Sequence, residues 1–370
     1  MKLLFVTEVN PWVRSVSTIH RYVAAGRRLG HDVLVYGEAQ SDLPHLPFST
    51  DLKGVDLALF IVQVPNDFPD MPYLARVLDG IPRERRVVLD LWGRYNETIR
   101  LDHDFNHLEK IDGHPAWEWT EAMEAVSDHI LQPTLSPIRL GAKSFLFHGF
   151  EAEKVAKPYA TAKEAAAAWR AGKPYGAVYI GNNWHRWHQV RAFLDEYSEV
   201  RDSAGTFCLA GWDWGQRPNW AAEMGIAGVD TDSGYLEQQG VEVWGGIHFD
   251  EVVPLLSTAR FAPVLHRPLF KHLNLVTNRS FETFCADTLP VLMLPQEFVS
   301  AIYGKAALAL VPSASVADHL GKVLSDPEPY WDAVLQTRTH LARNHSFERR
   351  IAELEALLAG RKPAGSGGAR

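Results

Sequence analysis

The chain has 370 residues, more than one ordinary core holds and enough for two domains, and its 46% hydrophobic and 22% charged residues are the balance of a soluble protein. A formal charge of −8 argues against a nucleic-acid surface or a broad anionic-membrane surface, and no apolar run approaches the ~18 residues of a membrane span. Two cysteines, Cys208 and Cys285, fit a reduced, cytoplasmic setting and are too few for a zinc cluster.

The first half reads as repeated strand–helix units. The apolar run of MKLLFVTEVNPW stops at Glu8, which predicts a buried strand over Leu3–Thr7 rather than a signal peptide. The loop from Glu8 to Ser17 carries Asn10, Arg14 and Ser15, candidates for holding an acceptor. It leads into a helix, Ser17–Leu29, with Ile19, Tyr22, Val23 and Leu29 on one face. His20 reads as a half-buried helix residue. Strands follow at Val33–Tyr36, Val55–Val62 and Arg86–Leu91. A helix around Trp117–Val126 leads to the strand His129–Gln132, and Ser144–Phe147 closes the series. Continuous apolar runs between helices imply a parallel sheet covered on both faces. Asp90 sits in the exit Asp90-Leu-Trp-Gly-Arg94, and Asp102-His103-Asp104 follows in a polar stretch. Asp90, Asp102 and His103 are candidate catalytic residues, able to hold sugar hydroxyls or to act as a base. The alternative is that they cap helices and decorate a loop. His148-Gly149-Phe150 reads as a hinge or as a donor contact.

Composition shifts over 151–175, where a basic, proline-containing passage meets the Ala-rich helix Ala162–Ala171 and Gly172-Lys173-Pro174. This divides the chain into a first domain of residues 1–155, a second of 156–345, a terminal helix of 346–361 and a flexible tail of 362–370. In the second domain, strands are expected at Ala177–Gly181, Phe207–Gly211, Val241–Trp244, Phe261–Leu265, Val291–Leu294 and Ala306–Val311. Helices are expected at Trp187–Tyr197 and His248–Ala259. Ile351, Leu354, Leu357 and Leu358 form the apolar stripe of the terminal helix Phe347–Leu358.

The segment Asn278–Pro295, NRSFETFCADTLPVLMLP, brings Asn278, Arg279 and Ser280 to a helix start, where backbone N–H groups favour an anion. Glu282 is one turn beyond Arg279, so both side chains share a face. An arginine for phosphate and a carboxylate for sugar hydroxyls suit a nucleotide-sugar site, although the same pair also reads as a surface ion pair. Tyr179-Ile-Gly-Asn-Asn-Trp-His-Arg186 opens the second domain with a strand-to-glycine turn. Gly181 permits close backbone approach, Asn182 is a donor, and Arg186 can reach a diphosphate. His185 and His188 have no third ligand nearby, so no metal site is expected. Asp230-Thr231-Asp232 reads as a loop.

The order of YIGNNWHRW, FCLAGW, VEVWGGIHFDEVVPLLSTARFAPVL and NRSFETFCADTLPVL resembles the GT-B glycosyltransferases over nearly the whole chain. Within them it looks closest to the large retaining family and its spore-maturation-type branch. The resemblance implies an α/β fold of two Rossmann-like domains facing across a cleft, with a C-terminal helix able to cross back to the first. It implies a metal-independent, retaining transfer from a nucleoside diphosphate sugar, taken as co-substrate with no other cofactor. The acceptor would be a carbohydrate, small molecule, peptide or lipid-linked group. Glu282 would take the ribose diol, Arg186 and Arg279 the diphosphate, with Ser280 assisting and Lys271 a further candidate. Asp90 would lie near the donor sugar. Two other readings keep the fold, a nucleotide-sugar epimerase or hydrolase and a non-catalytic glycan- or nucleotide-binding protein.

Overall fold

The computed structural model describes residues 1–9, 16–62, 74–93, 95, 116–137, 139–219 and 230–360. Seven strands make the first sheet: β1 (Lys2–Val6), β2 (Asp32–Tyr36), β3 (Phe48–Ser49), β4 (Leu57–Val62), β5 (Arg86–Asp90), β6 (Ile130–Gln132) and β7 (Ala142–Ser144). They run parallel in the order β3-β2-β1-β4-β5-β6-β7. The second sheet holds β8 (Tyr175–Ile180), β9 (Phe207–Ala210), β10 (Glu242–Trp244), β11 (Ala259–Val264) and β12 (Leu289–Leu292). It is also parallel, ordered β10-β9-β8-β11-β12. Central strands such as β4 are buried along their whole length, which is why they appear in the sequence as unbroken apolar runs.

In both sheets the chain works outward in one direction and then in the other. The strand order reverses between β1 and β4, and again between β8 and β11. Loops leaving such a pair at their carboxyl ends diverge to opposite faces and open a crevice, the place where open α/β sheets take ligands.

The terminal helix Phe347–Leu358 returns to the first lobe. Phe347, Ile351 and Leu354 join the core of that lobe, where Phe347 meets Tyr22 edge-on at 5.3 Å. Arg28 holds Glu348 at 2.5 Å beside this contact. Ile351→Ala is expected to cost about 2–5 kcal/mol through lost burial and a residual cavity, read as a lower denaturant midpoint for the first lobe.

Three elements differ from the sequence reading. The chain leaves the first sheet after Ser144, and Phe145 and Phe147 are buried from irregular backbone rather than from a strand over Ser144–Phe147. The partner β6 ends at Gln132, and Pro133 after it has no N–H with which to extend a ladder. The segment expected as a strand at Ala306–Val311 is a 3-10 helix, Lys305–Leu310. Its alanines and leucines favour helix over strand, and Gly304 at φ 83° has just turned the chain out of the helix Gln296–Tyr303. The expected helix His248–Ala259 splits into a 3-10 turn, Phe249–Glu251, and a helix, Val252–Ser257, and Ala259 already belongs to β11.

Candidate active site

The crevice of the second lobe is built from the exits of β8 and β11. From β8 the chain runs through Gly181 to Arg186, the residue that precedes the helix Trp187–Tyr197. From β11 it runs through His266 and Arg267 to the short helix Pro268–His272, where Lys271 is exposed. Gly181 lies against Gly211 at the exit of β9. A Cβ on Gly211 would stand 2.3 Å from the Gly181 carbonyl oxygen, so the two strand exits approach backbone to backbone. Asn182 and Asn183 tie these exits together. Asn182 Oδ1 accepts from Trp212 N at 3.1 Å, and Asn183 Nδ2 donates to the carbonyls of Asp213 and Asp230. Three non-glycine residues around the crevice adopt positive φ: His185 at 54°, Asp213 at 69° and Asn274 at 51°. Asn, Asp and His are the non-glycine residues that visit that region most readily.

The cations converge. Burial raises the Tyr179 phenol, while the charges of both Arg186 and Arg279 pull it back, so both guanidinium groups lie near this residue of β8. Burial takes His266 down to about 3, and the charges of Arg186 and Lys271 push in the same direction. Arg186 also donates to the carbonyl of Asn182 at 2.8 Å, which holds it over its own loop.

Glu282 lies on the first turn of the helix Arg279–Cys285 and is buried. Arg279 Nη1 donates to Glu282 Oε2 at 3.1 Å. Glu282 Oε1 has Arg21 Nη2 at 3.8 Å, an ion pair too long for a hydrogen bond, so among the described residues this oxygen accepts no hydrogen bond.

The first lobe closes over this crevice at two places. At one, Trp92, just beyond β5, meets Trp184 at 6.0 Å and lies 4.3 Å from the Arg267 guanidinium, which also packs on Phe270 at 4.0 Å. Gly93, at φ 69°, lies so close to the second lobe that a Cβ would stand 2.3 Å from Leu273 Cδ1. Backbone bonds seal the neighbouring edge, with Val276 N donating to Pro133 O at 2.6 Å. At the other place, the helix Val16–Leu29 presents Ser17 and Thr18 to Asn278. Thr18 Oγ1 donates to Asn278 Oδ1 at 2.5 Å, and Asn278 Nδ2 donates to Ser17 Oγ at 3.0 Å. Thr18 also lies 3.0 Å from His148 Nδ1. Burial takes His148 down to about 3, so the ring is neutral, and its Nδ1–H serves as donor to the threonine oxygen.

The residues expected from the sequence therefore fall into separate groups. Gly181, Arg186, Arg279 and Glu282 come together, with Lys271 at the rim. Asn278 stands at the expected helix start, but its side chain is used in the contact between lobes. Ser280, expected to assist the diphosphate, is buried, and its hydroxyl accepts from Thr277 N at 3.2 Å because the first turn folds back on itself. Asp90, expected near the donor sugar, is 0% exposed, and its Oδ2 accepts from Tyr95 N at 2.8 Å and from Gln132 Nε2 at 2.9 Å. It orders the β5 exit from below. Asn10, Arg14, Ser15, Asp102, His103 and Asp104 lie outside the described residues. Asp232 caps the helix Ser233–Gln238, as a loop acid would. No cluster of three His, Cys, Asp or Glu side chains able to hold a metal ion occurs among the described residues.

Arg21, Trp92, His266 and Arg267 were not singled out from the sequence. The His266-Arg267 pair carried a usable signal: two polar residues directly after an apolar strand and directly before a proline that starts a helix. Arg267 is 2% exposed, and His266 Nε2 has no hydrogen-bond partner among the described residues.

No protein-family model matches the chain, and no curated protein matches it. Solved structures do. A mutant of T4 phage beta-glucosyltransferase in complex with UDP-glucose is 14% identical, covers 97% of this chain and 98% of its own, and superposes with a TM-score of 0.53. An alpha-glucosyltransferase in complex with UDP and a 13-mer DNA is 11% identical, covers 96% and 99%, and has a TM-score of 0.57. Anabaena Alr3699/HepE in complex with UDP-glucose is 11% identical, covers 96% and 99%, and has a TM-score of 0.56. The T4 enzyme has also been solved with UDP and Mn2+. No described helix is long and apolar enough to cross a membrane. Two parallel sheets with facing carboxyl ends, a terminal helix returning to the first lobe and this coverage give the chain the GT-B fold.

Proposed function

We propose that the chain is a glycosyltransferase that moves a sugar from a nucleoside diphosphate sugar, with UDP-glucose the first donor to try, to an acceptor held on the first lobe. One observation carries the reading: at the strand-order reversal of the second sheet, Arg186 and Arg279 both lie near Tyr179, and Arg279 holds Glu282, whose Oε1 makes no hydrogen bond among the described residues. Glu282 would accept from the ribose hydroxyls. Arg186, Arg279 and Lys271 would balance the diphosphate, and they would stabilise the charge that grows on it as the sugar–oxygen bond breaks. Trp212, 46% exposed at the β9 exit and lying on Gly246, offers a flat aromatic face for the base.

Asp90 acts in this reading by ordering its loop. The acceptor contacts and any base fall to the loops that hold Asn10, Arg14, Ser15, Asp102 and His103. Charge balance by side chains makes the transfer independent of a metal, which an assay in EDTA against one in Mn2+ decides. Retention at the anomeric carbon follows from the resemblance of Asn278–Pro295 and is read from the product. The net charge of −8 favours a carbohydrate or small-molecule acceptor over nucleic acid.

A thermal-shift panel of UDP, GDP, TDP and ADP with their sugars tests the donor. A ligand at a hundred times its Kd adds about 2.7 kcal/mol, a clear rise in midpoint. Release of nucleotide that needs an acceptor supports transfer, and release from donor alone points to a hydrolase. DNA is one arm of the acceptor panel. No response to any nucleotide overturns the reading.

A further inference from the structure

The helix Val16–Leu29 belongs to the first lobe, yet three of its side chains on one face, Ser17, Thr18 and Arg21, meet two on one face of the second-lobe helix Arg279–Cys285 and its preceding residue, Asn278 and Glu282. We infer that Arg21 is a positioning residue for Glu282, so that donor binding on the second lobe depends on the seating of the first lobe against it. The inference rests on the glycosyltransferase reading and names how its site is regulated.

Arg21 is a forked cation between two carboxylates. Its Nη1 pairs with Glu151, in the passage that joins the lobes, and its Nη2 lies 3.8 Å from Glu282 Oε1. Both carboxylates are largely covered, with 8% and 10% of their side-chain surface exposed. Arg279 holds the other oxygen, Oε2. Glu282 is therefore hydrogen-bonded on one side by a guanidinium of its own helix one turn back, and faced on the other by an ion-pair partner that the opposite lobe supplies. A lysine would keep the charge but lose the fork that reaches both acids. With the lobes apart, only Arg279 would remain, and it is free to draw the carboxylate toward itself and away from the crevice.

A cycle of variants on the full chain, with UDP as the probe and calorimetry as the readout, tests this. Arg21→Met and Glu282→Gln are each expected to weaken UDP about tenfold or more, and the double variant no further than Glu282→Gln alone, because the arginine acts through the glutamate. Arg21→Lys should recover part of the loss. Additive losses in the double variant, or wild-type UDP affinity in Arg21→Met, overturn the inference while leaving the donor reading intact. If Arg21→Met does not fold, Arg21→Lys decides in the same cycle: a loss that vanishes in the Glu282→Gln background supports coupling, and wild-type affinity or an additive loss overturns it. Failure of the wild-type protein to bind any nucleoside diphosphate removes the donor reading, and this inference with it.

Discussion

Glu282→Ala is expected to lower kcat/KM for the donor by about a hundredfold or more, since hydrogen bonds to a charged acceptor contribute about 1.5–3 kcal/mol each and a ribose diol offers two. The fold should survive the change. Arg279 keeps 22% of its side chain in solvent and can turn outward, and Arg21 retains Glu151. The loss should therefore appear in donor affinity with little movement of the unfolding midpoint. Glu282→Gln should lie between the two, because one oxygen acceptor remains. Wild-type turnover in Glu282→Ala would remove the ribose role, and the site would have to be sought elsewhere along the crevice.

A steep acid loss of stability is the second large effect. His148, His266 and His345 each stay neutral in the folded protein down to about 3, through burial first and then the nearby charges of Arg350, of Arg186 and Lys271, and of Arg350 again. Once unfolded, each ring protonates near the ordinary histidine value of 6.5. Below that value these three sites alone let the unfolded chain bind up to three more protons than the folded one, so their contribution to stability is full above it and falls as pH is lowered. The slope approaches about 4 kcal/mol per pH unit at its steepest, three times the single-proton value. Denaturant midpoints measured at neutral pH and again near pH 5 check it. Equal midpoints would mean that the rings are already solvated or paired with acids.

The parallel sheets could be read from the sequence because buried parallel strands have no polar face, and an unbroken run such as Leu57–Val62 has few other homes. The 17-residue helix Glu328–Asn344 escaped notice even though Trp331, Val334, Arg338 and Leu341 recur at helical spacing, since a buried arginine hides the stripe. Lys305–Leu310 shows the limit of short apolar runs, where strand and helix share one pattern. In the site, Arg279 and Glu282 were legible because their contact is local, three residues apart on one helix. Arg21 was not, because its ion pair with Glu282 joins residues from opposite halves of the chain. For Asp90, a strand exit predicts nearness to a ligand but not how the carboxylate is held, and here its Oδ2 accepts from Tyr95 and Gln132.

The aromatic lid on Arg267 has an electrostatic consequence. Trp92 is carried by one lobe and the guanidinium by the other, so any separation of the lobes lifts the indole from a cation that is otherwise hidden. The groove thus presents more positive potential when agape than when shut. An incoming polyanion would feel its strongest pull at the moment of approach, when steering matters most for capture rate.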